Sequence, residues 1–269
     1  MTGIELNKNL VIAIEASLKA GEVIMQVYDT AFDVEHKDDK SPITEADKRA
    51  NDVINSFLQT TPIPIISEEN KQIDYSIRKD WDTCWIVDPV DGTKEFIKRN
   101  GEFTVNIALV QNGVPQLGVI YVPATTTLYF SDTLKKQAFK SVLSAHNTSI
   151  EDVLKLANPL QTKTTSNVVE VVGSRSHMSQ ETLNFVDHLK SSGKEVTIVS
   201  KGSSLKFCLV AEGNADIYPR FAPTMEWDTA AGQAICSAVG VKVISEDTKQ
   251  PLLYNKENLL NPWFVVAKH

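Results

Sequence analysis

The sequence predicts a layered α/β fold of two domains, because the pattern of its elements changes near the middle of the chain. In the first half, two helical patterns precede a run of short apolar segments, which predicts helices packed on a largely antiparallel sheet. In the second half, strands alternate with helices, which is typical of an α/β layer. The polar stretch 133–165 separates the two patterns, so we predict domains of 1–133 and 134–269 with a site between them.

The chain opens with two predicted helices. Apolar residues recur at helical spacing over 6–28 and again over 44–59. Thr44 has the chemistry of an N-cap, and Asp47 follows it at the spacing of a capping box. The polar segment 34–42 between the two helices predicts a loop or a short hairpin.

Short apolar segments after the second helix predict the strands of the first sheet. They cover 63–66, the run that begins at Trp85, 104–111, 114–121 and 127–131. An Asn-Gly pair at 112–113 separates two of these segments, and such a pair between apolar runs is a strong hairpin signal. Strands in the second half are predicted over 168–172, 195–199, 216–218, 241–244 and 263–267, and helices over 180–191, 203–212 and 229–239.

The composition is that of an ordinary globular protein, with 42% hydrophobic and 23% charged residues in a chain of 269. A net charge of −7 argues against non-specific binding to nucleic acid. No apolar run reaches the length of a membrane span, and the first ten residues lack the pattern of a secretory signal. Three cysteines in apolar sequence, without a CxxC pairing, indicate reduced and buried thiols. We therefore expect a cytoplasmic protein, and peripheral attachment to the inner membrane stays open.

The run from Trp85 to Thr93 carries the strongest functional signal. An apolar strand leads into Asp88 and Asp91, two carboxylates three residues apart, which are followed by Gly92 and a threonine. Carboxylates at the end of a buried strand are costly unless a positive charge lies between them, and oxygen ligands favour Mg²⁺. Gly92 can bring backbone N–H groups close to an anion, and the threonine hydroxyl can orient a water molecule. Metal, anion cradle and oriented water together predict metal-assisted phosphate hydrolysis.

Three further acids, Asp47, Glu68 and Asp228, lie at the ends of predicted elements. Each alone has a simpler interpretation, as a first-turn carboxylate, a solvated strand end or an N-cap. Two rival motifs do not fit the central run. An EF-hand loop needs oxygen ligands at its third and fifth positions, where this chain has valine and glycine. A phospho-aspartate enzyme has its two acids in a D-x-D pattern, whereas here the second acid comes one residue later.

Three separated motifs together resemble the signatures of a known family. They are Ser67-Glu68-Glu69, Asp88-Pro89-Val90-Asp91-Gly92-Thr93 and Trp227-Asp228-Thr229-Ala230-Ala231-Gly232. In this order they resemble the Mg²⁺-dependent, lithium-sensitive phosphatases of the inositol monophosphatase and fructose-1,6-bisphosphatase superfamily. The resemblance spans nearly the whole chain and implies a five-layer αβαβα sandwich.

Four other segments resemble one branch of that family, the bacterial 3′(2′),5′-bisphosphate nucleotidases of sulfur assimilation. They run from Lys94 to Asn106, Gly173 to His177, Gly202 to Cys208 and Ala215 to Arg220. The resemblance implies that adenosine 3′,5′-bisphosphate is the substrate. Hydrolysis of its 3′-phosphate would then produce AMP and phosphate.

The resemblance also implies a role for each matching residue. One Mg²⁺ would be held by Glu68, Asp88 and the carbonyl of Val90, and a second by Asp88, Asp91 and Asp228. Asp47 and Thr93 would position or deprotonate the attacking water, and with Glu68 they form the predicted catalytic set. The residues expected to contact the substrate are Glu68, Val90, Asp91, Gly92, Thr93, His177, Ser203, Lys206, Arg220 and Asp228.

Two of the substrate residues, Lys206 and Arg220, would meet the phosphate that is not cleaved, because cations recognise phosphate oxygens through charge-assisted hydrogen bonds. His177 would contact that phosphate or the adenine. The backbone from Asp91 to Thr93 would meet the phosphate that is cleaved.

Three alternatives stay open. An inositol monophosphatase or a related sugar phosphatase would have the same metal site, so the segment 173–220 must distinguish the substrates. A metal or nucleotide sensor would keep the binding residues without turnover, although both Asp47 and Thr93 are present. The acids could also form a purely structural cluster, although repulsion between inward carboxylates would then be strong. In that case Mg²⁺ should not change the melting temperature. The sequence does not distinguish a monomer from a homodimer.

Overall fold

The fold is described by a computed structural model that covers residues 7–36, 42–162, 167–174 and 178–268. The elements of the first half are α1 (Lys8–Tyr28), β1 (Val34–His36), β2 (Pro42–Thr44), α2 (Glu45–Leu58), β3 (Ile65–Ser67), α3 (Tyr75–Arg78), β4 (Thr83–Asp91), α4 (Thr93–Ile97), β5 (Thr104–Gln111), β6 (Val114–Val122), β7 (Thr127–Asp132), β8 (Gln137–Val142), α5 (Ile150–Lys155) and β9 (Asn158–Pro159). Those of the second half are β10 (Val168–Ser174), α6 (Gln180–Ser191), β11 (Glu195–Lys201), α7 (Leu205–Ala211), β12 (Ile217–Arg220), α8 (Ala230–Ala238), β13 (Val241–Ser245) and β14 (Phe264–Lys268).

Two large sheets and three helix layers build the molecule. The first sheet has seven strands in the order β3-β4-β5-β6-β7-β8-β9, and the second has five in the order β11-β10-β12-β14-β13. Helices α1 and α2 cover the outer face of the first sheet, α7 and α8 lie between the sheets, and α6 covers the outer face of the second. The predicted five-layer αβαβα sandwich is therefore confirmed.

The first sheet is largely antiparallel, as predicted, and its one parallel pair of strands positions the site. Strands β3 and β4 pair in parallel, whereas every later neighbouring pair in this sheet is antiparallel. The hairpin between β5 and β6 turns at Asn112 and Gly113, which both have positive φ, as expected for an Asn-Gly turn.

The beginning of α2 confirms the predicted capping box. The Thr44 hydroxyl accepts a hydrogen bond from the Ala46 N–H, and the Asp47 carboxylate accepts one from the Thr44 N–H at 2.7 Å. Strands β1 and β2 form the short antiparallel hairpin that was one of two expectations for 34–42, although residues 37–41 lie outside the described part. The three cysteines, Cys84, Cys208 and Cys236, are buried and free, in agreement with the sequence.

The first sheet extends past the predicted domain boundary at 133/134, which itself stays a prediction. Strands β8 and β9 lie beyond it and still pair in the first sheet, so the chain changes sheet between Pro159 and Val168. Strand β8 was not predicted because its sequence contains polar residues. One of them, Ser141, is nevertheless buried, and it donates a hydrogen bond to the Val153 carbonyl at 3.0 Å. The two halves also share the central helix layer, in which α8 packs on β5, β6 and β7 of the first sheet.

Three short helices, α3, α4 and α5, were also not predicted from the sequence. Within the described ranges, the helices are all too short or too polar to cross a lipid bilayer.

Candidate active site

The parallel pairing of β3 with β4 brings two of the predicted ligands side by side. Ser67 pairs with Val87, and the Glu68 N–H donates to the Val87 carbonyl at 3.1 Å. Glu68 therefore follows the end of β3 at the level where Asp88 lies on β4. The pairing of β4 with β5 is irregular between Asp88 and Asp91, which shifts the second acid relative to a regular strand.

Carboxylates from both halves of the chain converge at this point. Oxygens of Asp88, Asp91 and Asp228 all lie within 4.8 Å of one another. Asp228 ends a short 3₁₀ turn that begins at Glu226, directly before α8, and its carboxylate accepts the Met225 N–H at 2.8 Å. Three carboxylates this close form an oxygen-only donor set of the kind that hard divalent cations prefer.

The acids of this cluster strongly perturb one another. Burial raises the pKa of Asp88 well above its usual range, and the charges of Glu68, Asp91 and Asp228 raise it further. Burial also raises the pKa of Asp91, an effect that the Lys206 ammonium opposes. The pKa of Asp228 is raised to about 8, again by burial first and then by the charge of Asp91. The cluster therefore has more negative charge than its protein surroundings compensate.

Hydrogen bonds fix the direction of each carboxylate. Asp88 accepts from the Val90 N–H at 3.0 Å, two residues along its own strand. Asp91 accepts from the Ser204 N–H at 2.5 Å and from the side chains of Thr104 and Asn106 at 3.5 Å each. A cation is thus not needed to orient these groups, and the oxygens are already placed for one.

Asp47 and Thr93 form a second feature beside the cluster. The Thr93 hydroxyl lies 3.3 Å from an Asp47 carboxylate oxygen and 3.4 Å from the Val90 carbonyl, so it can donate to either. Asp47 is buried, and burial raises its pKa, while the bonds from Thr44 lower it and the charge of Glu68 raises it. This hydrogen-bonded pair has the composition of a water-positioning site.

Gly92 connects the end of β4 to α4 in a left-handed conformation, with φ of 94°. This conformation favours glycine, and a Cβ at this position would also make tight contacts of 3.1 Å with the Glu102 carbonyl and 3.2 Å with the Ser203 Cβ. The Val90 side chain points into the apolar core, which leaves only its backbone carbonyl for the site. Contact of the 91–93 backbone with a phosphate stays a prediction.

A cleft of about 340 Å³ lies against the acidic cluster. Its lining includes the acids Asp91 and Asp228 together with Ser203, Lys206 and Arg220. The Lys206 ammonium donates to the Ser203 carbonyl at 2.5 Å and lies 5.5 Å from the centre of the Tyr218 ring. Burial lowers the pKa of Lys206 to about 8, and the Asp91 charge opposes that shift.

Arg220 leaves part of its guanidinium group unused. One terminal nitrogen donates to the Pro223 carbonyl at 3.0 Å, but the Nε is buried and has no hydrogen-bond partner in the described part of the molecule. A buried donor without a partner costs free energy, which a bound anion in the cleft would recover.

Most of the residues predicted from the sequence meet at one place. The cluster, the Asp47–Thr93 pair and the cleft contain Asp47, Glu68, Asp88, Val90, Asp91, Gly92, Thr93, Ser203, Lys206, Arg220 and Asp228. The predicted residue His177 lies outside the described residues. Sequence reasoning missed Glu102, Thr104, Asn106 and Ser204, which are buried around Asp91. Glu102, Thr104 and Asn106 interrupt an otherwise apolar strand pattern, and all four residues lie in the segments 94–106 and 202–208 that resemble the nucleotidase branch, but no role was assigned to them.

Comparison with known proteins identifies the family. The sequence model of the inositol monophosphatase family matches residues 5–265. The chain belongs to the inositol monophosphatase family. The acidic cluster therefore lies at the junction of the two halves of an inositol monophosphatase fold.

Relatives within this family are similar over nearly their whole length. The 3′(2′),5′-bisphosphate nucleotidase CysQ of Salmonella typhimurium is 46% identical over 252 residues, which cover 92% of this chain and 95% of that protein. The crystal structure of CysQ from Bacteroides thetaiotaomicron has 49% identity and a TM-score of 0.86, and the match covers 97% of both chains. The suhB protein of Bartonella henselae, at 21% identity and a TM-score of 0.76, shares the inositol monophosphatase fold.

The raised pKa values predict how pH affects the stability of this family member without metal. The folded state holds protons on Asp88, Asp91 and Asp228 more tightly than the unfolded chain, in which an Asp pKa is near 3.8. These groups therefore stabilise the fold at low pH, and this contribution is lost as the pH rises through the raised values, which reach about 8 for Asp228.

We expect the melting temperature in a chelator to fall between pH 6 and pH 8.5, and to fall less in Asp91→Asn. Thermal melts of both proteins at the two pH values measure this difference. An equal fall in both would contradict the assignment of the pH effect to the cluster.

Proposed function

We propose that the protein is a metal-dependent 3′(2′),5′-bisphosphate nucleotidase that removes the 3′-phosphate of adenosine 3′,5′-bisphosphate. One observation carries the proposal: two cations, Lys206 and Arg220, line the same cleft as two acids of the cluster. A substrate with two separate phosphates fits this arrangement, since one phosphate can lie at the acids with their metal and the other at the cations. The names of the CysQ relatives support the same substrate class.

The residues present fit Mg²⁺. Asp88, Asp91 and Asp228 supply oxygen ligands only, and their raised pKa values express an excess of buried negative charge that a divalent cation would neutralise. Glu68 and the Val90 carbonyl lie next to the cluster and would complete the donor set. When bound, Mg²⁺ would neutralise phosphate charge and make a nearby water more acidic.

The protein residues around the cluster then have distinct tasks. The Asp47 carboxylate would accept a proton from the attacking water, and the Thr93 hydroxyl beside it would hold that water in line with the phosphorus atom. The raised pKa of Asp47 brings its basicity closer to neutral pH, which favours a general base. No covalent bond between enzyme and phosphate is required.

The cations would bind the phosphate that stays on the product. Lys206 is buried and held against the Ser203 carbonyl, so its charge is directed into the cleft. The Arg220 Nε, which has no protein partner among the described residues, would donate to the same phosphate. Separate groups for the cleaved phosphate and for the retained phosphate distinguish a bisphosphate nucleotidase from an enzyme that acts on a monophosphate.

A phosphate-release assay with Mg²⁺ tests the proposed function. It compares adenosine 3′,5′-bisphosphate, inositol 1-phosphate and fructose 1,6-bisphosphate at equal concentrations. We expect kcat/KM for the nucleotide to exceed that for inositol 1-phosphate by at least about 100-fold, because a site built around a second phosphate rejects a substrate that has only one. Fructose 1,6-bisphosphate has two phosphates, so it tests whether the site also requires the nucleoside between them. Preference for inositol 1-phosphate would replace the proposal with an inositol monophosphatase, and no release from any of the three would indicate a sensor.

The variant Lys206→Met should change substrate binding, measured as KM, more than the rate of the chemical step, measured as kcat. Loss of a charge-assisted hydrogen bond of about 1.5–3 kcal/mol predicts a rise in KM for adenosine 3′,5′-bisphosphate of about 10–100-fold. For adenosine 3′-monophosphate, which lacks the second phosphate, the rise should stay below about threefold. Steady-state kinetics on both substrates measure the split, with Lys140→Met as a control because Lys140 pairs with Glu212 outside this cleft. Equal losses on both substrates would remove Lys206 from recognition of the second phosphate.

A further inference from the structure

Glu102 belongs neither to the acidic cluster nor to the cleft lining, but it lies against two glycines of that lining, Gly92 and Gly202. It precedes β5 and is 7% exposed, with hydrogen bonds to the Gly202 N–H at 2.9 Å and to the Lys201 ammonium at 3.2 Å. These bonds join residues about one hundred positions apart in sequence and cross from the first half of the chain to the second. A carboxylate that accepts a backbone N–H fixes the path of the chain at that residue.

The turn that Glu102 holds leads directly to the cluster. Two residues after Gly202, the Ser204 N–H donates to the Asp91 carboxylate at 2.5 Å. The Ser204 hydroxyl is also fixed, since it bonds to the Asn106 side chain at 2.8 Å and lies 2.7 Å from the Thr104 hydroxyl. The orientation of Asp91 therefore depends on where this turn places its backbone.

The same turn carries residues of the substrate cleft. Ser203, between the two anchored positions, has a positive φ of 45°, a conformation that a serine adopts only when its surroundings impose it. Lys206 is held by the Ser203 carbonyl, so a movement of the turn would move this cation as well. One short segment thus supports a cluster acid on one side and a cleft cation on the other.

Close packing leaves the turn little freedom while Glu102 is in place. A Cβ at Gly202 would lie 3.1 Å from both the Glu102 Cβ and its backbone carbonyl, and 2.9 Å from the Glu95 Cγ. The turn therefore lies directly against Glu102.

We propose that Glu102 is a positioning residue that holds the 202–204 turn against Asp91 and so couples substrate recognition to metal binding. The proposal rests on the proposed function for its kinetic readout, but its metal-binding readout is independent of activity. We expect the hydrogen bond from the Gly202 N–H to position the turn more strongly than the ion pair with Lys201. The Lys201 side chain is 37% exposed, and solvent weakens that ion pair.

The test compares Glu102→Ala with a matched carboxylate. Glu212 is 10% exposed at its side chain and forms a comparable ion pair with Lys140 at 2.7 Å, but it lies at the far end of α7 and contacts neither the turn nor Asp91. Calorimetric titration with Mg²⁺ alone measures metal affinity, and phosphate release from adenosine 3′,5′-bisphosphate measures KM and kcat. A melting temperature for each variant allows comparison at equal loss of stability.

We expect Glu102→Ala to weaken Mg²⁺ binding about tenfold and to raise KM about tenfold, as is usual for residues that orient a metal ligand. Glu102→Gln should recover both values to within about threefold, because its amide oxygen still accepts the Gly202 N–H. Glu212→Ala and Lys201→Met should each stay within about twofold of the native values. If Glu102→Ala does not fold, Glu102→Met, which fills a similar volume without an acceptor, provides the same comparison.

Native-like Mg²⁺ affinity in folded Glu102→Ala or Glu102→Met would overturn the proposal. So would equal losses in Glu212→Ala at the same melting temperature, since that result would assign the effect to stability alone. A native protein that binds Mg²⁺ without hydrolysing the nucleotide would instead overturn the proposed function, and the Mg²⁺ comparison among the variants would still decide the role of Glu102.

Discussion

Asp91→Asn should lose kcat on the order of 10³-fold while the fold survives, because it removes one negative charge from the centre of the cluster. The amide oxygen can still accept the Ser204 N–H, so the variant keeps its main structural contact. Without metal, the variant should melt at a higher temperature than the native protein at pH 8, since one of several repelling carboxylates is gone. The stabilisation by added Mg²⁺ should largely disappear.

A matched control separates charge from hydrogen bonding in this experiment. Asp216 also accepts a backbone N–H, from Glu170 at 2.8 Å, but it lies outside the acidic cluster. Asp216→Asn should keep native kcat and the native response to Mg²⁺. Near-native turnover in Asp91→Asn, or a loss of the Mg²⁺ response in both variants, would contradict the ligand role of Asp91.

Asp47→Asn should lose about 10²–10⁴-fold in kcat with little change in Mg²⁺ affinity, since Asp47 is proposed as the base and is not part of the cluster. Asparagine can still accept the Thr44 N–H at the beginning of α2, so the helix cap is preserved. Kinetics and calorimetric titration with Mg²⁺, measured on the same preparation, give the two values.

The variant Asp47→Ala distinguishes the role of Asp47 in the helix cap from its role in catalysis. It should lose the same activity and, in addition, about 1 kcal/mol of stability because the capping box is broken. If Asp47→Asn lost Mg²⁺ binding in parallel with turnover, Asp47 would be a metal ligand and the role proposed for it would be wrong.

Periodicity predicted the fold well where one face of an element is buried and the other is not. Helix α1 is an example. The hairpin between β5 and β6 was predicted from a different local signal, the Asn-Gly pair between two apolar segments. Strand β8 was missed since buried Ser141 is satisfied by a carbonyl from a later helix, a partner that local sequence does not show.

The residues of the site also differ in whether local sequence could identify them. Carboxylates at strand ends are unusual enough that Asp88 and Asp91 could be recognised from the sequence alone, and the family resemblance added Asp47, Glu68 and Asp228. No role could be assigned to Glu102 or Ser204 from the sequence, because each acts through a partner about one hundred residues away. Glu102 accepts the Gly202 N–H, and the Ser204 N–H donates to the Asp91 carboxylate.

The register of the first sheet explains why the site forms where the two halves meet. β4 ends at Asp91, and the turn after β11 donates to that carboxylate, so neither half alone completes the cluster. Asp228, directly before α8, completes the set from the central helix layer. A metal at this position would therefore stabilise the contact between the halves as well as serve catalysis.

Asp88, Asp91 and Asp228 are proposed to hold a divalent metal together. A crystal soaked in Mn²⁺, with diffraction measured to show anomalous scattering, tests this proposal most directly. We predict anomalous peaks within coordination distance of these three carboxylates, and their absence in crystals of Asp91→Asn. A native crystal with saturating Mn²⁺ and no peak between the three carboxylates would contradict the account.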